Sequence, residues 1–384
     1  MRVSREQLNK LKQRLGTDTL WSFSRYNSYL TDPYGYYLNY VEHIRPEETD
    51  GVYTFLGGKL HDIMEGLYED KIEQEDMIEL WENAMIDCDC NGYKFPGDKD
   101  KSELVRANYN DSISHFCLNY KKLPYKVLSE KFIVVNTGKY YFQGYIDAIS
   151  KDNETEEITI IDWKSSSQYK GEKRDKESAQ LLLYSLGVSQ KFGVPLDKIK
   201  ACWCFAKYCT VVCDLKTIDK KTKKLKTKSK ICQRNKWINE SSANIKSWLC
   251  AEYGFEKDSL ELATAYQDIQ NKNSLKDYPL VEAHFKLEDC YDYIEITEEA
   301  VNELIEKINK TLDEINYKLE KTRELDDKRE IDKLWWSEIN KGNEFYFKNL
   351  LGYSRQQHKP LDMYLKENEE LFKITKEQDD NFDW

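Results

Sequence analysis

Gly144-Tyr145-Ile146-Asp147 and Ile161-Asp162-Trp163-Lys164 are the two stretches that decide how this chain folds. Each sets a carboxylate in or at the end of an apolar run. Around them, Val127 to Val135 reads as a β-rich strand with Glu130 inside it. Asn136-Thr137-Gly138-Lys139 is a turn signal, and Tyr140 to Ile149 forms the return strand. Lys151 to Glu157 is polar, and Glu157 to Trp163 is a third strand. Neighbouring strands can bring Asp147 and Asp162 to one point although they are fifteen residues apart. Side chains alternate along a strand, so Asp162 and Lys164 share a face. Asp147 is hard to explain as filler, because a lone buried carboxylate is costly.

Helices flank the strands. Ser4 to about Gly16 reads as a short amphipathic helix, and Ser residues in Trp21 to Tyr29 suit an N-cap. Asp32-Pro33 restarts a helix through Val41. After Gly57-Gly58, apolar residues 60, 63, 64 and 67 follow helical spacing, which places His61 and Glu65 on one face. Helices continue to about Tyr120, broken at Gly92 to Gly97. Downstream, Ser165 to Glu172 is a loop and Glu177 to Lys191 a helix that presents Gln180 and Tyr184 together. Ile199 to Phe205 and Thr210 to Leu215 are two further strands. Lys216 to Lys236 holds ten Lys or Arg and one acid, Asp219; this is a solvated loop or hairpin tip, or else a clamp on a phosphate backbone. Trp237 to about Gln270 is helical, Ile294 to Ile296 a short strand, and Thr297 to about Lys328 a long charged helix. The expected organisation is an N-terminal helical segment, 1–54, packed on a core, 55–215. A basic hairpin and C-terminal helical region, 216–384, complete one compact body.

The net charge of −11 argues against a protein that coats duplex DNA by charge alone, but not against one that grips it along a local basic strip. The start is polar, with no secretory signal, and no stretch approaches a membrane span. Ten scattered cysteines, with CxC pairs at Cys88/Cys90 and Cys202/Cys204 and no CxxC pairs, suggest a reducing, cytoplasmic setting. No GxxxxGK[ST] occurs, so the chain holds no ATP-driven motor of that kind.

Asp147 and Asp162 suit Mg²⁺ or Mn²⁺, which prefer hard oxygen ligands. A lysine beside such a cation and a phosphate can orient or deprotonate water and stabilise charge growing on phosphorus oxygens. Taken singly, every one of these residues has a bland reading. His61 could be a surface histidine, Asp162 and Lys164 an ion pair, Gln180 a polar face residue and Tyr184 core. Their order and spacing together favour a catalytic centre.

That order resembles the PD-(D/E)xK nuclease superfamily, in particular its RecB-type branch. The pattern there is a helix His, GxxD, DxK and QxxxY. It is filled by His61, Gly144 with Asp147, Asp162 with Lys164, and Gln180 with Tyr184. The resemblance implies a restriction-endonuclease-like αβββαβ core with a central mixed sheet and large helical embellishments. It implies metal binding by His61, Asp147, Asp162 and the Trp163 carbonyl, catalysis by Lys164, and support from Gln180, Tyr184 and Glu130. The implied activity is Mg²⁺- or Mn²⁺-dependent hydrolysis of DNA, as an exonuclease on ends or single strands in phage or bacterial replication or recombination. A structure- or sequence-specific endonuclease and a non-catalytic DNA-binding or adaptor module are the alternatives. A separate helicase, recombinase or single-strand-binding protein would be its partner. In relatives, four cysteines hold an iron–sulfur cluster. Here Asp32 stands in the first cysteine's place and no cysteine follows Cys290, so no such cluster is expected.

Overall fold

The computed structural model describes residues 3–43, 51–152 and 154–336. The chain opens with α1 (Arg5–Leu15), α2 (Phe23–Thr31) and α3 (Pro33–Tyr36), then α4 (Val52–Tyr68), α5 (Asp76–Cys90) and α6 (Lys99–Asn119). Strands β1 (Val127–Asn136), β2 (Tyr141–Lys151) and β3 (Ile158–Lys164) follow, then α7 (Glu172–Phe192), β4 (Ile199–Ile218) and β5 (Leu225–Gln233). Next come α8 (Trp237–Glu240), α9 (Ser242–Glu252), α10 (Leu260–Lys272), α11 (Pro279–Glu282), β6 (Phe285–Ile294), α12 (Glu298–Glu324) and α13 (Lys328–Trp335). The expected αβββαβ order is therefore present, from α6 through β4.

Local chemistry accounts for several boundaries. Ser4 opens α1 with a reciprocal capping box to Gln7, and Gly16 closes it at φ 65°. Ser22 caps α2, and Asp32 accepts from the Gly35 amide to start α3 ahead of Pro33. The turn after β1 uses Gly138 at φ 84°, where a side chain would be strained.

Several elements differ from the sequence reading: the region from Trp237 to Gln270 is three helices, α8 to α10, and most of Lys216 to Lys236 is strand, in β4 and β5. Helix α4 begins at Val52, so Gly57-Gly58 lie within it. Helix α7 begins at Glu172, five residues before Glu177. The two strands expected at Ile199–Phe205 and Thr210–Leu215 are one continuous strand of 20 residues, β4. The Ile294–Ile296 strand is the end of a ten-residue strand, β6.

The strands form one mixed sheet in the order β1-β2-β3-β4-β5, with β6 also on β4. β2 and β3 are antiparallel, with Ala148 opposite Ile161. β3 and β4 are parallel, with Lys164 opposite Phe205. β5 and β6 both run antiparallel to β4.

By contact the residues fall into two compact units. The first spans Asp50–Ile133 and Tyr145–Thr297. On one side of its sheet, Leu60, Met64 and Leu67 of α4 pack with Trp81, Phe116, Ile161 and Trp163. On the other, Leu181 and Val188 of α7 pack with Ile160, Trp203 and Phe205. The outer half of β4 is buried against α8 to α11 through Cys209, Val211, Trp237, Trp248 and Ile269.

Among the described residues, the second unit contains 3–43, 134–144 and 298–336. Its centre is aromatic. Trp335, fully buried, stacks on Tyr37 at 5.3 Å and on Tyr36 at 5.9 Å, and donates from Nε1 to Thr322 Oγ1 at 2.8 Å. Trp21 adds a short bridge to β2, exchanging backbone hydrogen bonds with Tyr141 and Gln143.

Candidate active site

The pairing of β2 with β3 stops at Ala148 and Ile161. One step further, the same register sets Asp147 opposite Asp162. There the ladder gives way to side chains: Asp147 Oδ2 accepts the Trp163 amide at 3.0 Å. Trp163 is anchored by stacking on Tyr68, with centroids 5.5 Å apart. The end of β3 is thus held from below while its next carboxylate and ammonium are presented above.

Lys164 lies on the Asp162 face, as the period of two requires. Its Nζ donates to Asp162 Oδ1 at 2.8 Å, and Oδ2 is also 2.8 Å away. Asp162 Oδ2 is buried and lacks an aligned hydrogen-bond donor. From α4, His61 Nδ1 reaches Asp147 Oδ2 at 3.3 Å. From α7, Gln180 Nε2 donates to the Tyr184 hydroxyl at 3.1 Å. The side chains of Asp147 and Asp162 are only 14% and 15% exposed, so their charges interact through little water.

Burial and proximity divide the ionisation of these groups. Burial pushes Asp162 up, the negative charge of Asp147 adds to that, and Lys164 opposes it. Burial also works to raise Asp147, but the hydrogen bond and charge of His61, with Lys164, hold it well below the usual carboxylate range. For His61, burial favours the neutral ring, yet Asp147 and then Asp162 raise its value overall. Lys164 is likewise pulled down by burial and raised overall by Asp162 and Asp147. Burial pushes Tyr184 up to about 12, and the charges of Asp162, Asp147 and Lys164 reach it, which places it beside this group.

A cleft of about 410 Å³ opens beside His61 and Lys164, lined also by Gly57, Glu65, Glu130, Trp163, Ser165 and Tyr169 among others; Asp147 and Asp162 lie behind these residues and do not line it. A methyl at Gly57 would stand 3.4 Å from Ser165 Oγ, an ordinary contact, so the glycine is not required for the shape of the cleft. Glu130 takes φ 44° within β1, a strained value for a residue with a side chain, and still lines the cleft. The structure therefore draws His61, Asp147, Asp162, Trp163 and Lys164 into one centre, sets Gln180 and Tyr184 beside it, and places Glu130 on the cleft wall.

Glu65 and Tyr169 also line this cleft. Glu65 was legible only as a residue sharing the His61 face. Tyr169 lies in the loop after DxK, where no periodicity marks it. It is buried, edge-on to Trp203 and Phe205.

The family model described as the PD-(D/E)XK nuclease superfamily matches residues 20–324. The chain belongs to this superfamily. It is thus a nuclease, with the α/β fold expected from its sequence. Superfamily members generally use divalent metal ions such as Mg²⁺ and act on nucleic acid. No curated protein matches the chain. No helix among the described residues is long and apolar enough to cross a membrane.

The donor chemistry at the centre can be tested against such an ion. Among the described residues, no three His, Cys, Asp or Glu side chains stand ready-made around one point. Asp147 is engaged by His61 and Trp163, and Asp162 by Lys164. The donor set nevertheless fits a hard cation: two adjacent carboxylates, one with an oxygen buried without an aligned donor, beside an imidazole.

Proposed function

We propose that the chain is a Mg²⁺- or Mn²⁺-dependent deoxyribonuclease whose centre is His61, Asp147, Asp162 and Lys164. The observation that carries this reading is the meeting of two carboxylates and a lysine where β2 and β3 part, in a member of a nuclease superfamily. His61, Asp147, Asp162 and the Trp163 carbonyl would hold the metal, which when bound supplies an activated water and charge for the phosphate oxygens. Lys164 orients that water and stabilises the charge that grows on the phosphoryl group. Its raised pKa keeps it protonated at neutral pH, so in this ground state it is a donor and not a base. Gln180 and Tyr184 brace the centre and contact the strand. Glu130, fixed by its strained backbone, faces the cleft as a further acidic group.

The resemblance to the RecB-type branch favours an exonuclease acting on DNA ends or single strands. A cytoplasmic role in phage or bacterial DNA replication or recombination, beside a separate helicase, recombinase or single-strand-binding protein, completes the reading. Linear single-stranded DNA, linear duplex and covalently closed circles distinguish the modes. Loss of linear DNA with intact circles is expected; nicking of the closed circle would overturn the exonuclease assignment.

A further inference from the structure

The β4–β5 hairpin carries charge that the fold itself does not use. Between Lys216 and Lys236, ten residues are basic and one is acidic, in a chain of net charge −11. Asp219, that acid, is occupied by the turn: its Oδ1 accepts from the amides of Lys221 and Thr222. Lys230 pairs with Glu240 at 2.6 Å. Lys220, Lys221, Lys223, Lys224, Lys226 and Lys228 are all exposed, and among the described residues none has a carboxylate within ion-pairing distance. Six neighbouring ammonium groups without an internal counter-charge repel one another, so an external polyanion gains by binding there.

The topology says where this charge points. β6 pairs with β4 at both Ala201–Cys204 and Cys209–Cys213, and so occupies one edge of β4 along both stretches. β3 pairs with Ile199–Phe205 and β5 with Tyr208–Ile218. Both must therefore use the other edge of β4, with β5 continuing the line of β3 beyond Lys164. The hairpin begins where Asp162-Trp163-Lys164 ends, and its unpaired lysines start at Lys228, opposite Cys213 and eight residues beyond Phe205, and run out to its tip. From Phe205, opposite Lys164, to Ile218, opposite Leu225, is thirteen residues. At ~3.3 Å per residue the contour is at most ~43 Å, about twelve base pairs of duplex.

We propose that the β4–β5 hairpin is an arm that tracks the phosphate backbone of duplex DNA beside the candidate catalytic cleft. This rests on the nuclease reading above. A duplex is favoured because the segment from Lys216 to Lys236 contains no aromatic residue, so it has no ring on which unpaired bases could stack. A two-stranded ribbon also has dimensions that a DNA groove admits.

The test is binding of labelled duplexes of about 8 to about 24 base pairs in EDTA, by fluorescence anisotropy across a salt series. Wild type is compared with the quadruple variant Lys220→Gln, Lys221→Gln, Lys223→Gln, Lys224→Gln, whose surface positions spare the fold; circular dichroism verifies this. Affinity of the wild type should rise with duplex length, and its log–log salt slope should be steeper than the variant's by roughly 3 to 4. The variant should bind the longest duplex at least about tenfold more weakly. Equal slopes and affinities overturn the arm. An equal loss for single-stranded DNA or duplex RNA overturns the assignment to duplex DNA. Metal-dependent cleavage of the same duplexes by wild type separates the two readings. Cleavage with no effect on binding discards the arm alone; arm-dependent binding without cleavage discards the nuclease alone; neither discards both.

Discussion

Asp162 stands where β2 and β3 part, and that position gives it its chemistry. The residues on either side of it, Ile161 and Trp163, are buried in the core on the opposite face. Lys164 is its only hydrogen-bond donor among the described residues, so the lysine is already placed for charge stabilisation. Lys164→Ala should lower turnover on the order of 100- to 1000-fold with a smaller effect on DNA affinity, measured by single-turnover cleavage and anisotropy. Retained turnover would remove Lys164 from the chemistry. Another residue makes a pH prediction. Burial, with the charges of Arg234 and Lys276, pushes His115 down to about 3 from its ordinary 6.5. Its neutral ring contributes fully above the ordinary value. As pH falls from there toward 3, the unfolded chain takes up a proton that the folded chain refuses, and stability drops by up to roughly 1.4 kcal/mol per pH unit. Urea midpoints at neutral and acid pH should therefore diverge less in His115→Gln than in wild type. At this scale the sequence was informative, because strand and helix periods alone bring Asp162 to Lys164 and Gln180 to Tyr184. It named Glu130 but was silent about the backbone there, since a φ of 44° leaves no mark in composition.

The strand β4 shows what element-level reading can miss. Lys207 and Tyr208 interrupt its apolar run, so the sequence reads as two strands. In the fold Ala206 is fully buried, and a register shift against β6 between Cys204 and Cys209 absorbs the irregularity. β6 was mostly invisible for a related reason: Lys286, Glu288, Asp289 and Asp292 give it a polar look. One of these charges is structural. Asp289 of β6 receives Arg234, just past β5, at 2.5 Å, and the two side chains are 11% and 2% exposed. Arg234→Met leaves a buried carboxylate unpaired and should cost about 3–5 kcal/mol in urea unfolding. The double variant with Asp289→Leu should recover most of that loss; no recovery would show that Arg234 acts through packing, including its position over Phe116, and not through the pair.

Across the whole molecule, 27 tyrosines are present, and composition alone does not separate core filling from base stacking. Tyr26, Tyr29, Tyr34, Tyr36 and Tyr37 are all buried in the second unit, which assigns them to packing. Their partners are some 300 residues away in sequence, as with Tyr29 and Glu314 or Tyr37 and Trp335, and no local pattern announces such pairs. Trp335→Ala should destabilise that unit by about 3–5 kcal/mol, read from urea unfolding. Phe345 to Asn349 and His358 to Pro360, which resemble the segment where RecB-type relatives carry their remaining cysteines, lie outside the described residues. The fold class, by contrast, was legible, because a strand meander followed by a helix and a parallel strand constrains the topology. The most direct measurement is incubation of linear DNA with the purified protein in Mg²⁺, in EDTA, and with Asp162→Asn in Mg²⁺. The geometry predicts degradation only by the wild type with metal. DNA left intact by the wild type, or degraded equally by Asp162→Asn, would contradict a catalytic centre at the end of β3.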